Sequence, residues 1–159
     1  VTPEPIKDVD LDVFGLFIQW LYTQSLLNKH DQPAYQHRLM GLWVLGRKLQ
    51  MPTMQNDAID MLDARRELEK TIQIKSLDYV YKNTIVGDGL RRYLVDVCVP
   101  VMHTFSPKMV KDFFPKEFLE ELTEAQFVKL ENREKKMGME TERDMSRYHV
   151  VEEDLTHMG

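Results

Sequence analysis

A single cysteine, Cys98, stands in a chain of 159 residues. No disulfide can therefore form within one copy, and a reducing, intracellular compartment is the expected setting. An excess of positive charge is lacking too. The 21 basic and 26 acidic residues leave a net charge of −5, which is not the electrostatic footprint of a nucleic-acid binder. The longest apolar run, residues 13–27, covers about 15 positions and falls short of the ~20 that a membrane span needs. It also contains Gln19 and Gln24, so it is expected to be a soluble helix and no membrane partner is expected. The opening VTPEPIKDVD has neither the basic start nor the apolar stretch of a signal peptide. Its first residue is Val1 rather than Met, as expected of a fragment or a processed product. No alternating stretch of strand length occurs, and residues 72–74 are too few to count. The expectation is an all-α chain, long enough for one domain or for one domain and part of another.

What the chain does have is apolar residues at helical spacing. After Asp10 and Asp12, both good helix N-caps, Phe14, Phe17, Ile18, Leu21 and Ser25 form one stripe, and Val13, Leu16 and Trp20 form a second beside it. A helix apolar around most of its circumference is usually touched on several sides, so this one is expected to be the hub of the fold. Residues 28–33 (NKHDQP) predict a loop. Leu39, Leu42, Trp43, Gly46 and Leu49 then predict a second helix, in which Gly41 and Gly46 permit close approach to the first. Pro52 is suited to the first turn of a third helix, whose stripe is Met54, Ala58, Met61 and Leu62, fading at residues 63–70 into frayed helix or linker.

A second block of shorter helices follows. Ser76 is placed to cap one with Leu77, Val80 and Tyr81 inward. A glycine turn at residues 86–89 precedes another, with Leu90, Leu94, Val97, Cys98 and Val101 inward and Arg91, Arg92 and Asp96 facing away. Ser106-Pro107 starts a third, and Pro115 a fourth, with Phe118, Leu119 and Leu122 inward. Thr123 to Gln126 has the form of a capping box opening one more helix, extended by Phe127 and Leu130. The expected organisation is therefore residues 1–66, residues 67–131, and a charged, flexible tail at 132–159 that cannot bury enough surface to order itself alone.

No catalytic or metal-binding constellation stands out, and no cofactor is expected. His30 and His37 flank a loop with no ligand-spaced partner beside them, and the expectation is two surface histidines. His149 and His157 bracket Glu152, Glu153 and Asp154 but lack the helical pairing of a metalloprotease motif. Cys98 lies on an apolar stripe without a neighbouring His or Lys to activate it, as a small core hydrophobe would. The turn at 86–90 (VGDGL) lacks the Lys and Ser/Thr of a phosphate loop. Arg91 and Arg92 are either an exposed helix face or a contact for an acidic partner. Met137, Met139 and Met145 are candidates for an adaptable binding surface.

Residues 20–23 (WLYT), 48–52 (KLQMP) and 56–60 (NDAID) stand together at a spacing that resembles the C-terminal part of a BTB/POZ domain. Residues 77–97 (LDYVYKNTIVGDGLRRYLVDV) and 114–119 (FPKEFL) resemble the region that follows that core in filamentous-fungal members. The likeness covers roughly residues 8–130, and the strands and dimer-forming helices of the family's N-terminal half have no counterpart in the chain. The resemblance implies a helical bundle of BTB/POZ C-terminal helices followed by a second set of short helices, acting as a non-enzymatic protein-protein interaction module. It implies an adaptor or scaffold role, with a cullin-type ubiquitin ligase scaffold as candidate partner. No residue of a cullin-contact motif is carried over. Candidate protein-binding residues are Trp20, Tyr22, Trp43, Arg91 and Arg92. Core positions are the expectation for at least two of the three aromatics, while an exposed one would suit a binding hot spot. Two further expectations compete with this: a small-ligand or enzymatic helical domain in which Cys98 or His103 meets a carboxylate, and a half-domain whose bared apolar surface makes a homo-oligomer.

Overall fold

The computed structural model describes residues 10–135 and 143–151. Seven α-helices and three short 3-10 turns make up its regular structure, and among the described residues the only β pairing is an isolated bridge between Leu27 and Pro33. The all-α expectation holds. The chain divides into two compact units: one runs to Thr71 and takes in Val150 and Val151, and the other is Ile72–His149.

The first unit is built on α1 (Leu11–Thr23), α2 (Gln36–Lys48) and α3 (Pro52–Glu69). Asp10 caps α1 as expected, its carboxylate accepting the Asp12 N–H at 2.8 Å. The helix stops where Gln24 turns left-handed and returns its N–H to the Trp20 carbonyl. The hub is α2 rather than α1. It packs against both neighbours, burying Leu39, Met40, Leu42, Trp43, Val44 and Leu45. Gly41 is why α1 comes so close, since a Cβ there would sit 2.6 Å from Cγ2 of Val13. Gly46, expected to face α1, faces α3 instead, where an added Cβ would meet the Gln55 side chain at 2.8 Å. Pro52 occupies the first turn of α3 as the sequence predicts. That helix runs on through the expected boundary at 66/67, because residues 63–70 are not a linker. Arg65 is buried there, pairing with Glu69, donating to the Pro33 carbonyl at 3.0 Å and lying over the Tyr35 ring.

The second unit holds α4 (Leu77–Asn83), α5 (Gly89–Cys98), α6 (Pro107–Phe113) and α7 (Lys116–Lys135). Leu77, Val80, Leu90, Leu94, Cys98, Phe118 and Leu122 are fully buried, while Val101 is 36% exposed. Edge-to-face rings link Phe105, Phe114, Phe118 and Tyr81, with centroids 5.1 to 5.4 Å apart. Ser106 caps α6 by accepting the Met109 N–H, as expected. Ser76 precedes α4 but makes no capping hydrogen bond with its side chain. The capping box at Thr123 is not one: α7 passes through it unbroken, and the Thr123 hydroxyl donates back to the Leu119 carbonyl. Phe127 and Leu130 extend the helix as expected, with their side chains exposed.

The expected flexible tail also needs correction where it is described. Residues 132–135 are the last turn of α7, and Met145–Tyr148 forms a 3-10 turn with Tyr148 buried in the second unit. Met137, Met139, His157 and the acidic residues 152–154 lie outside the described residues, and Met145 is half-buried in that turn.

Candidate interaction site

Among the described residues, helix α1 is held from one side only. Val13, Leu16 and Trp20 are its buried residues, and the Trp20 indole N–H donates to the Asp57 carboxylate on α3 at 2.8 Å. The Gln19 amide donates to the carbonyls of Ser25 and Leu27 at 3.0 and 2.8 Å, pinning the chain as it leaves the helix. The secondary stripe of the sequence is thus the buried one. The primary stripe, expected in the core, turns outward: Phe14 is 48% exposed and Leu21 44%, with Phe17 and Ile18 half-buried.

At 3.6 residues per turn, Phe17, Leu21, Phe14, Ile18, Leu11, Tyr22 and Gly15 succeed one another over an arc of roughly 160°. No charged side chain of the helix interrupts that arc, and the Tyr22 hydroxyl at its edge is its one polar side-chain group. Leu11 and Tyr22, both 86% exposed, stand on it, and a Cβ added at Gly15 would meet nothing within 4 Å. A glycine inside a helix costs about 1 kcal/mol relative to alanine, and none of the described packing repays it. The usual outer face of such a helix is charged; here the only charged residue of α1 is Asp12, off the arc. Contiguous exposed apolar faces are uncommon on monomeric proteins.

A second exposed apolar set, Phe127, Val128 and Leu130 on α7, is broken up by Glu124, Lys129 and Glu131. It has the mixed character of an ordinary solvated helix.

The sequence-derived candidates separate under this geometry. Trp20 and Trp43 are buried, 5% and 2% exposed, and serve the core of the first unit. Tyr22 is the one aromatic of the three at the surface, on the α1 arc. Arg91 does not face away from the second unit but into it, 3% exposed. Its guanidinium donates to the carbonyls of Tyr81 and Thr84, to the Thr84 hydroxyl, and to Glu117 and Glu121. It also lies 4.2 Å from the centre of the Tyr81 ring. Burial, with Glu121 as hydrogen-bond acceptor beside it, pushes the Tyr81 hydroxyl well above its ordinary range. Arg92 is exposed and donates to the carbonyls of Gly87 and Arg147 at 3.1 and 2.7 Å. Phe14, Ile18 and Leu21 were missed as surface residues because a helical period marks an apolar face without saying what covers it.

The second unit carries an open groove of about 820 Å³ beside α5, with Val95, Val99 and Val128 on its apolar lining and Arg92, Asp96 and Arg147 among its polar residues. Cys98 is fully buried and His103 exposed, and neither lines it. Among the described residues no group of three or more His, Cys, Asp or Glu is placed to hold a metal ion, and no helix is long and apolar enough to cross a membrane. Comparison with family models, with curated proteins and with solved structures finds no match.

Proposed function

We propose that the chain is a non-enzymatic protein-protein interaction module and that the outward arc of α1 is its contact surface. The observation that carries this is the uncharged apolar arc itself, opposite a stripe that already satisfies the fold. The contacting surface of the partner is apolar and uncharged, since a charge brought against Phe14, Ile18 and Leu21 would be desolvated without compensation. Tyr22 at the edge of the arc supplies an aromatic anchor with a polar tip. The BTB/POZ likeness adds the adaptor or scaffold role, with a cullin-type ubiquitin ligase scaffold as the first partner to try and a second copy of the chain as the next.

Affinity capture from a filamentous-fungal extract tests this, using the unsubstituted chain and an Ile18→Asp variant of unchanged helicity. A protein retained by the first and lost from the second is the expected result, with the affinity falling about 30-fold or more for a central interface position. Equal retention by both, or retention no greater than by an unrelated helical protein, would count against the proposal. Sedimentation velocity across a range of concentrations identifies a second copy as the partner, through a dimer that Ile18→Asp abolishes.

A further inference from the structure

Outside its core-facing stripe, α5 carries a second, different stripe: Gly89, Arg92, Tyr93 and Asp96, at i, i+3, i+4 and i+7. All four act on the segment 143–149. Tyr148 inserts its ring edge-on against Tyr93, with centroids 5.4 Å apart and planes at 80°, and is left 1% exposed. Its hydroxyl donates to the Asp96 carboxylate at 2.7 Å and accepts from the Arg143 guanidinium at 3.1 Å. Gly89 clears the way for the backbone: a Cβ there would lie 2.2 Å from the Tyr148 carbonyl oxygen. Arg92 holds the carbonyl of Arg147. The segment is shaped in advance by its own contacts, as Asp144 accepts from the Ser146 N–H and hydroxyl and the His149 N–H returns to the Ser146 carbonyl. A preformed turn, one aromatic anchor in a fitted hole and a glycine that only this backbone path explains are the parts of a peptide-recognition site. The open groove continues alongside.

We propose that this stripe of α5 is a binding site for a tyrosine-bearing peptide turn, and that residues 143–149 are its resident ligand, one that the same segment of a second copy can replace. The site selects tyrosine by chemistry. Phenylalanine leaves the half-buried Asp96 carboxylate without its donor, and phosphotyrosine sets about two negative charges against it. Occupation in cis is favoured because a site and a ligand carried on one chain meet at an effective concentration that reaches the millimolar range.

The test uses the full chain carrying Tyr148→Ala, whose own segment has lost its anchor, and a fluorescent peptide of residues 143–151. Saturable binding, read by anisotropy, is expected for that variant, while the unsubstituted chain should bind at least tenfold more weakly. A peptide with phenylalanine at the anchor should bind roughly tenfold more weakly. The phosphotyrosine peptide, and a chain carrying both Gly89→Ala and Tyr148→Ala, should show no binding. Absence of binding to a folded Tyr148→Ala chain, or equal binding of all three peptides, would overturn the proposal. If Tyr148→Ala unfolds, the ring-proton shifts of Tyr148 in the isotope-labelled unsubstituted chain, set by the Tyr93 ring it packs against, decide. Millimolar unlabelled peptide should move them toward those of a free tyrosine by displacing the resident segment, and unchanged shifts would refute the site.

Discussion

Replacing Arg91 by alanine is expected to destabilise the second unit by about 3 kcal/mol, at the lower end of the range for breaking a buried charged network. The exposure of the two carboxylates sets that figure. The Arg91 side chain is 4% exposed, but Glu117 is 60% and Glu121 24%, so both acids rehydrate when the guanidinium leaves. What cannot rehydrate is the pair of carbonyls from Tyr81 and Thr84, which lose their donor at a buried position. The face of the Tyr81 ring loses the cation above it as well. Urea unfolding followed by far-UV circular dichroism should show a lower midpoint with an unchanged slope. Glu117→Gln is the control. A pair with one partner that exposed is screened by solvent, and less than about 1 kcal/mol should be lost. A near-neutral Arg91→Ala would mean that the guanidinium is a surface group.

Trp43→Ala should cost the first unit about 3–5 kcal/mol, the range for emptying a large aromatic site in a packed core. Trp43 lies at the centre of α2, the helix that touches both neighbours, so no single movement closes the hole. Trp43→Phe should cost far less than the loss of ring area suggests. The indole N–H is buried with no acceptor among the described residues, and removing an unpaired donor recovers about 1–3 kcal/mol of desolvation. Both tryptophans belong to the first unit. In a Trp43 variant, fluorescence unfolding therefore reports the remaining Trp20 and its bond to Asp57 directly. A Trp43→Phe penalty as large as that of Trp43→Ala would show that the N–H is paired after all.

The helices were legible because period and punctuation act locally. Asp10, Ser106 and Pro52 mark helix starts through atoms within three residues of themselves, and each does what its residue type dictates. Orientation was not legible. In α1 two adjacent stripes have the same period, and contacts distant in the chain, Gly41 to Val13 at 28 residues and Trp20 to Asp57 at 37, select the smaller one for the core. Arg91 reads as surface because its charge is visible in sequence and its carbonyl partners are not. Backbone acceptors carry no residue signature. Thr123 shows how a capping pattern misleads inside a helix, where the hydroxyl has a carbonyl one turn back to bond instead. Tyr148 was lost in a charged segment because its socket is formed by residues more than fifty positions earlier. The signals that point to it are a lone aromatic just after an Asp-x-Ser turn and a glycine opening α5.

Oxidative footprinting of the chain, free and bound to the partner recovered by capture, addresses the α1 surface most directly. Leu11, Phe14, Leu21 and Tyr22 should be labelled readily in the free chain and protected together in the complex, while Phe127, 65% exposed on α7, stays equally reactive in both. Unchanged labelling of the four α1 residues on binding would contradict the assignment of that helix face as the contact surface.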